Sequence, residues 1–266
     1  MRKRIISKLD IKDNNLVKGI QLEGLRVLGD PNQFAKDYYL SGIDEIFVQD
    51  VIASLYQKKS ITKFLKNFSK DVFIPICVGG GINNLNDVTT LMIEGADKIS
   101  LNSYALKNPS FIDELVKNFG SSTICINIEV KLINNTFKLF VNNGRDPIDK
   151  NLIDWISEIQ DRGAGEIHLV SIDNDGMEKG VDINLLNFVK SLDINVPLIY
   201  SGGFNLNKDK NLLNKIGENL DGIAIGSYFH MQSKHLIRDS LWFRETSSDN
   251  NSLTIKDIIN NIRKDF

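Results

Sequence analysis

Cysteine is scarce in this chain: there are two, Cys77 and Cys125, and no spaced framework of them. Disulfide scaffolding is therefore excluded. Both residues lie inside apolar runs, "FIPICVGG" and "TICINI", where a thiol packs as a small hydrophobe and is expected to be buried and inert. Histidine is almost as rare. His168, His230 and His235 do not group, and no Cys or His spacing fits a metal site, so neither metal nor cofactor is expected. His168 falls inside a strand-like run and reads as a packed, hydrogen-bonded side chain. The "DNDG" turn at 173–176 lacks the rest of a calcium loop. Long uncharged apolar stretches are missing too, which argues against a membrane span. The basic start "MRKRII" runs into "SKLDIKDNN" with no apolar segment of a signal peptide, so a cytoplasmic location is expected. Charge of one sign is also absent. The 32 Lys and Arg nearly balance the 34 Asp and Glu, which excludes a general nucleic-acid binder and points to small molecules or proteins as partners.

What is present is an ordinary globular composition, 42% hydrophobic and 25% charged over 266 residues. That length allows two small domains or one large one, and the element pattern decides. Short β-branched runs alternate with amphipathic helical spacings. The strand-like runs are "KRIISKLD", "DEIFVQDV", "VFIPICVGG", "DKISLN", "TICINIE", "EIHLVSID", "VPLIYSGG" and "DGIAIGS". Eight such runs, each followed by a helix or loop, predict a closed (β/α)8 barrel of the TIM type, as one domain over 1–266. The chain also repeats itself. "GIDEIFVQD" resembles "GAGEIHLVSID", "IPICVGGGINNL" resembles "VPLIYSGGFNL", and "DKISLNS" resembles "DGIAIGS", each at an offset of about 120 residues. Two related half-barrels follow, and in that register Asp10 and Glu129 are equivalents. Residues 11–30 exceed an ordinary βα connection and predict a mobile loop over a site. Residues 231–266 predict a helical extension interrupted by the polar "TSSDNN".

In such barrels the chemistry sits at the C-terminal ends of the strands. Those ends offer Asp10, Asp50, Gly79 to Gly81, Asn102, Ser103, Glu129, Asp173 to Gly176, Ser201 to Gly203, Gly226 and Ser227. Glycines just ahead of a helix let backbone N–H groups approach an oxyanion. "VGGG" with "LNS", and "SGG" with "IGS", form two such clusters in equivalent positions, which predicts a ligand with a phosphate at each end. The first cluster would hold one phosphate and the second the other. Asp10 and Glu129 would lie between them as a general acid and base pair. The bland alternative is that such acids cap loops or pair with Lys12 and Lys131. Asp50 and Asp175 line the same mouth.

Taken together, these residues resemble the family of cyclase subunits of imidazole glycerol phosphate synthase, the HisF family. The likeness runs through "KRIISKLDIKD", "VKG", "GDP", "GIDEIFVQDVIAS", "VGGGI", "GADKISLN", "RGAGEI", "SIDNDG", "SGG" and "FH", about residues 3–230. The resemblance implies a bisphosphorylated ribulosyl formimino substrate, ammonia from a partner glutaminase, and ring closure to an imidazole. It implies Asp10 as the first catalytic aspartate, Lys18 as a loop lysine near the substrate, and Asp50 and Asp175 as substrate-side acids. It further implies a charged ring of Arg4, Glu45, Lys98 and Glu166 at the opposite end of the barrel, gating ammonia, with the glutaminase docked on that N-terminal face. It also implies that Gly81, Asn102 and Ser103 hold one phosphate and Gly203, Gly226 and Ser227 the other. The sequence departs from the family in three places: Glu129 stands where an aspartate is usual, Met177 where a threonine is usual, and "RDSLWFRETSSDNN" departs from the usual ending. Two other readings stay open, a family paralogue that supports amidation of a sugar for surface polysaccharide, and a non-catalytic activator of a glutaminase.

Overall fold

The computed structural model describes residues 2–53, 61–68, 70–237 and 253–266. Strand β1 (Arg4–Lys12) runs into a hairpin of β2 (Asn15–Ile20) and β3 (Glu23–Gly29), and β4 (Glu45–Asp50), β5 (Ile76–Gly79) and β6 (Lys98–Leu101) follow. The second half repeats this plan. β7 (Ile124–Ile133) leads into a hairpin of β8 (Thr136–Val141) and β9 (Asp146–Ile148), followed by β10 (Glu166–Ser171), β11 (Leu198–Ser201) and β12 (Gly222–Ile225). β1, β4, β5, β6, β7, β10, β11 and β12 pair in parallel in that order, and β12 returns to β1. The result is a closed (β/α)8 TIM barrel, as the sequence predicts.

Each barrel strand alternates between two apolar environments, as the period of two requires. β1 sends Ile5, Leu9 and Ile11 into the layer under the helices, while Ile6 points to the axis with Phe47, Cys77, Cys125, Ile199 and Ala224. Both cysteines are fully buried, and burial pushes the Cys77 thiol well above its ordinary value. The helices cover the outside with one apolar face each. The last, Ile255–Asp265, buries Ile255, Ile258, Ile259 and Ile262 and begins with a capping box of Thr254 and Asp257. Its Arg263 anchors it to the barrel, donating to Gly42 O at 2.6 Å and Asp44 Oδ1 at 2.8 Å. This helix falls within residues 231–266, whereas "TSSDNN" lies outside the described residues.

The half-barrel repeat reaches the level of register. Ile6 pairs with Glu45 as Cys125 pairs with Glu166, so Glu45 and Glu166 are equivalents, as are Asp10 and Glu129. Gly80 and Gly202 have φ of 117° and 124°. A Cβ on either would come within 2.4 Å of Asp50 O or 2.7 Å of Ser171 O. The same tight passage of backbone over the preceding strand end is thus built twice, and a side chain fits neither.

One prediction is corrected here. Residues 11–30 are not a loop: β1 extends to Lys12, and β2 and β3 form a hairpin antiparallel to it. Two-residue turns at Asp13–Asn14 and Gln21–Leu22, all four residues with positive φ, reverse the chain in the tight twisted geometry that short hairpins favour. The extra residues satisfy their backbone by pairing with β1, so a long connection needs no disorder.

Candidate functional site

At the C-terminal mouth, β1 turns Lys8 and Asp10 inward, two residues apart on one face. The β2–β3 hairpin brings Lys18, and the turn after β10 brings Asp175. Lys18 Nζ lies 3.0 Å from Asp10 Oδ2 and 2.6 Å from Asp175 Oδ1. Lys8 Nζ lies 3.7 Å from Asp10 Oδ1 and from Asp175 Oδ2. Burial alone would raise the Asp10 carboxyl, but Lys18 and Lys8 outweigh it and hold the group down to about 2. Burial likewise works against the Lys18 ammonium, yet Asp10 and Asp175 raise it above its ordinary value.

Glu129 is held differently. Its carboxylate accepts from Asn127 Nδ2 at 3.2 Å and from the Gly144 backbone N–H at 2.8 Å. No lysine lies within ion-pairing distance of it among the described residues, and burial pushes it up to about 7, with the Gly144 hydrogen bond opposing. The two equivalent acids therefore rest in different states near neutrality, Asp10 ionised and Glu129 at the edge of protonation.

The predicted phosphate residues separate into two sites. Gly81, Asn102 and Ser103 line a cavity of about 470 Å³ together with Asp50, Asn127 and Glu129. Gly203, Gly226 and Ser227 line a second hollow with Lys8 and Asp175, of only about 20 Å³. The helices after the two sites start alike: Asn102 has φ −133° and ψ −86°, Gly226 has φ −106° and ψ −90°, and neither start carries a side-chain cap. No side chain therefore caps the first N–H groups of either helix. Ser227 Oγ and Asn102 Oδ1 are buried with no hydrogen-bond partner. Glu178, raised to about 7 by burial, also lines the small hollow.

The first hairpin closes the small site. Gln21 donates to Asp175 O at 2.8 Å and to Asp173 O at 3.0 Å. Asn143 of the second hairpin donates to Leu22 O at 3.1 Å, and Leu22 packs with Phe140 and Ile172. Asp50 stands apart from the ion cluster. Its Oδ1 accepts from the N–H groups of Ile52 at 3.2 Å and Ala53 at 3.0 Å, so this acid ties down its own loop at the rim of the large cavity.

At the opposite end, Arg4, Glu45, Lys98 and Glu166 close into a ring. Arg4 reaches Glu45 at 2.7 Å and Glu166 at 2.5 Å, and Lys98 reaches them at 2.8 and 3.1 Å. Burial disfavours charge on Arg4 and Lys98, but the two glutamates outweigh it and raise both. His168 is packed as expected, its Nε2 2.9 Å from Ser201 Oγ. Sequence reasoning passed over Lys8, Asn127, Asn143, Gly144 and His230. For Lys8 and Asn127 the signal was available, since each stands two positions before a chosen acid on an alternating strand. His230 is fully buried, its Nδ1 2.7 Å from Tyr38 Oη.

With this geometry in place, comparison with known proteins is informative. A family model described as "Histidine biosynthesis protein" matches residues 4–234. A Legionella pneumophila protein named imidazole glycerol phosphate synthase subunit HisF is 43% identical over 201 residues, covering 75% of this chain and 94% of the relative. Proteins of the same name from Helicobacter hepaticus and Bacteroides thetaiotaomicron are 46% and 40% identical, covering 76% and 86% of this chain and 80% and 91% of the relatives. A barrel doubled in sequence and register, matched at this identity over most of its length, belongs to the histidine biosynthesis protein family, among the HisF subunits.

Proposed function

We propose that this chain is the cyclase subunit of an imidazole glycerol phosphate synthase. It takes ammonia from a glutaminase and converts a bisphosphorylated ribulosyl formimino aminoimidazole carboxamide ribotide into imidazole glycerol phosphate and aminoimidazole carboxamide ribotide. The observation that carries this is the pair of equivalent carboxylates at one mouth, Asp10 beside two lysines and Glu129 beside an amide and a backbone N–H. An acid and a base of one reaction need surroundings that differ in this way.

In this mechanism the backbone and hydroxyl groups at Gly81, Asn102 and Ser103 hold one phosphate, and those at Gly203, Gly226 and Ser227 hold the other. Lys18 and Asp175 orient the middle of the substrate, and Asp50 fixes the rim of the first site. Asp10 stays an anion and steadies positive charge that develops on nitrogen. Glu129 exchanges protons near neutral pH, taking one from the attacking nitrogen and returning one to the leaving group. The ring of Arg4, Glu45, Lys98 and Glu166 supports docking of the glutaminase at the N-terminal face, with ammonia admitted along the axis. Its net charge of zero leaves the partner a neutral, hydrogen-bonding entrance.

Incubation with the bisphosphorylated intermediate and ammonium at alkaline pH is expected to release imidazole glycerol phosphate. No turnover at high enzyme concentration rejects the proposal. Glu129 is the one observation that favours the sugar-amidation reading, because its longer side chain displaces the carboxylate by about 1.5 Å from an aspartate's place. If Glu129→Asp creates the activity in a protein that otherwise lacks it, that second reading takes over.

A further inference from the structure

Two closed rings of alternating charge stand on the barrel axis, one at each end. The lower ring is Arg4, Glu45, Lys98 and Glu166. In the upper ring each ammonium of Lys8 and Lys18 faces one oxygen of each carboxylate of Asp10 and Asp175. These four side chains are 6% exposed or less. Buried charges persist only when paired, and with both lysines present the upper ring is neutral. With either lysine gone, one negative charge is left over.

The two lysines differ in what holds them. Lys18 rides on the β2–β3 hairpin, which pairs with β1 along one edge, buries Leu16, Val17 and Leu28, and is tied at its tip to Asp173 and to the second hairpin. Lys8 belongs to β1 itself, paired in parallel with β12 on one side and β4 on the other. A ligand that spans both oxyanion sites needs more room than the second hollow of about 20 Å³ offers. The hairpin also lies close against its rim, where a Cβ on Gly176 would come 2.3 Å from Gly19 O. This step rests on the two-phosphate reading of the proposed function. When the hairpin moves, Lys18 leaves with it and Lys8 stays.

We propose that Lys8 is a positioning residue for the reaction at this mouth: a fixed second cation that keeps Asp10 charged, and both Asp10 and Asp175 aligned, while the hairpin carries Lys18 away and back. Its 3.7 Å separations exceed a hydrogen bond, so Lys8 acts on these carboxylates through its charge. The charged or titratable groups that face Asp10 are Lys8 on its own strand, Lys18 on the hairpin, Asp175 after β10, Glu129 on β7, His168 on β10 and His230 on the helix Ser227–Gln232. Burial holds both histidines neutral, His230 down to about 3. Among the described residues that leaves the two lysines as the cations beside Asp10.

Carboxyl carbon NMR of Asp10, assigned through Asp10→Asn, tests this in the wild type, Lys18→Met, Lys8→Met and Lys8→Arg, alongside the pH profile of ammonium-dependent turnover. Asp10 is expected to stay ionised above pH 5 in Lys18→Met. In Lys8→Met it is expected to titrate at least about one pH unit higher than in the wild type, with kcat lowered on the order of tenfold and KM changed less. Lys8→Arg is expected to restore both. Lys8→Gln serves for the same comparison should Lys8→Met not fold. A Lys8→Met titration and pH profile equal to those of the wild type overturn the inference, as does Lys8→Arg impaired as far as Lys8→Met. Absence of turnover in the wild type rejects the cyclase reading instead, and the Asp10 titration still decides the role of Lys8.

Discussion

Glu129 shows how much one methylene and two missing cations change. Its half-barrel equivalent Asp10 has two lysines within 4 Å, while Glu129 has an amide and a backbone N–H for partners. The same carboxyl chemistry therefore titrates at opposite ends of the range, at about 2 for Asp10 and about 7 for Glu129. In the proposed role of general base, Glu129 is expected to give a turnover that rises with pH through about 7. Glu129→Gln is expected to abolish that limb and to lower ammonium-dependent turnover about 10²-fold or more, measured as a pH–rate profile. The sign for stability is the reverse. A carboxyl raised by folding favours the protonated form, so its contribution is complete below its ordinary value of 4.5 and is lost as pH rises to about 7. That loss is on the order of 3 kcal/mol. Glu129→Gln is therefore expected to flatten the fall in denaturant stability between pH 4.5 and 7, because its amide cannot ionise.

At the scale of elements, the two hairpins matter most. Each follows the first strand of its half, and they meet over the mouth through Leu22, Phe140 and Ile172. Leu22 sits at φ 64°, a left-handed conformation that costs a non-glycine residue roughly 1–2 kcal/mol. Burial of its side chain offsets that cost, so the turn is held by contact with the other hairpin and not by its own propensity. Leu22→Ala is expected to remove about 2–5 kcal/mol of packing, spent locally. Hydrogen exchange of β2 and β3 amides should accelerate while the barrel strands keep their protection. The KM for a two-phosphate substrate is expected to change more than the melting temperature.

Across the whole molecule, the barrel places a neutral charged ring at each end of its axis and an apolar layer of Ile6, Phe47, Cys77, Cys125, Ile199 and Ala224 between them. Each lower-ring glutamate holds two cations, Arg4 and Lys98. Glu45→Gln leaves both cations to Glu166 alone, and unpaired charge in this setting costs about 3 kcal/mol. Equilibrium unfolding is expected to show that loss. In the enzyme with its glutaminase, Glu45→Gln is expected to lower glutamine-dependent turnover more than ammonium-dependent turnover. Equal losses in the two assays would mean that the ring serves folding alone.

The alternating strands, the half-barrel repeat and the glycine clusters were legible in the sequence because each rests on local rules: a period of two, a fixed offset, and backbone conformations that only glycine adopts without cost. The strand order, the positions of Asp10 and Glu129 and the four ring residues followed from these and from the family likeness. Residues 11–30 and 131–150 were not legible as hairpins. Gln21–Leu22 carries none of the glycine or asparagine that marks such a turn, and its conformation is stabilised by Phe140 and Ile172, distant in sequence. Lys8 was legible by its place, two residues before Asp10 on an alternating strand, but its approach to Asp175 was not, since that acid comes from the turn after β10. The sequence by itself determined which side chains face the axis. Only the tertiary structure decided their charge states, because burial and the lysines that oppose it come from strands and a hairpin that meet only when the barrel closes.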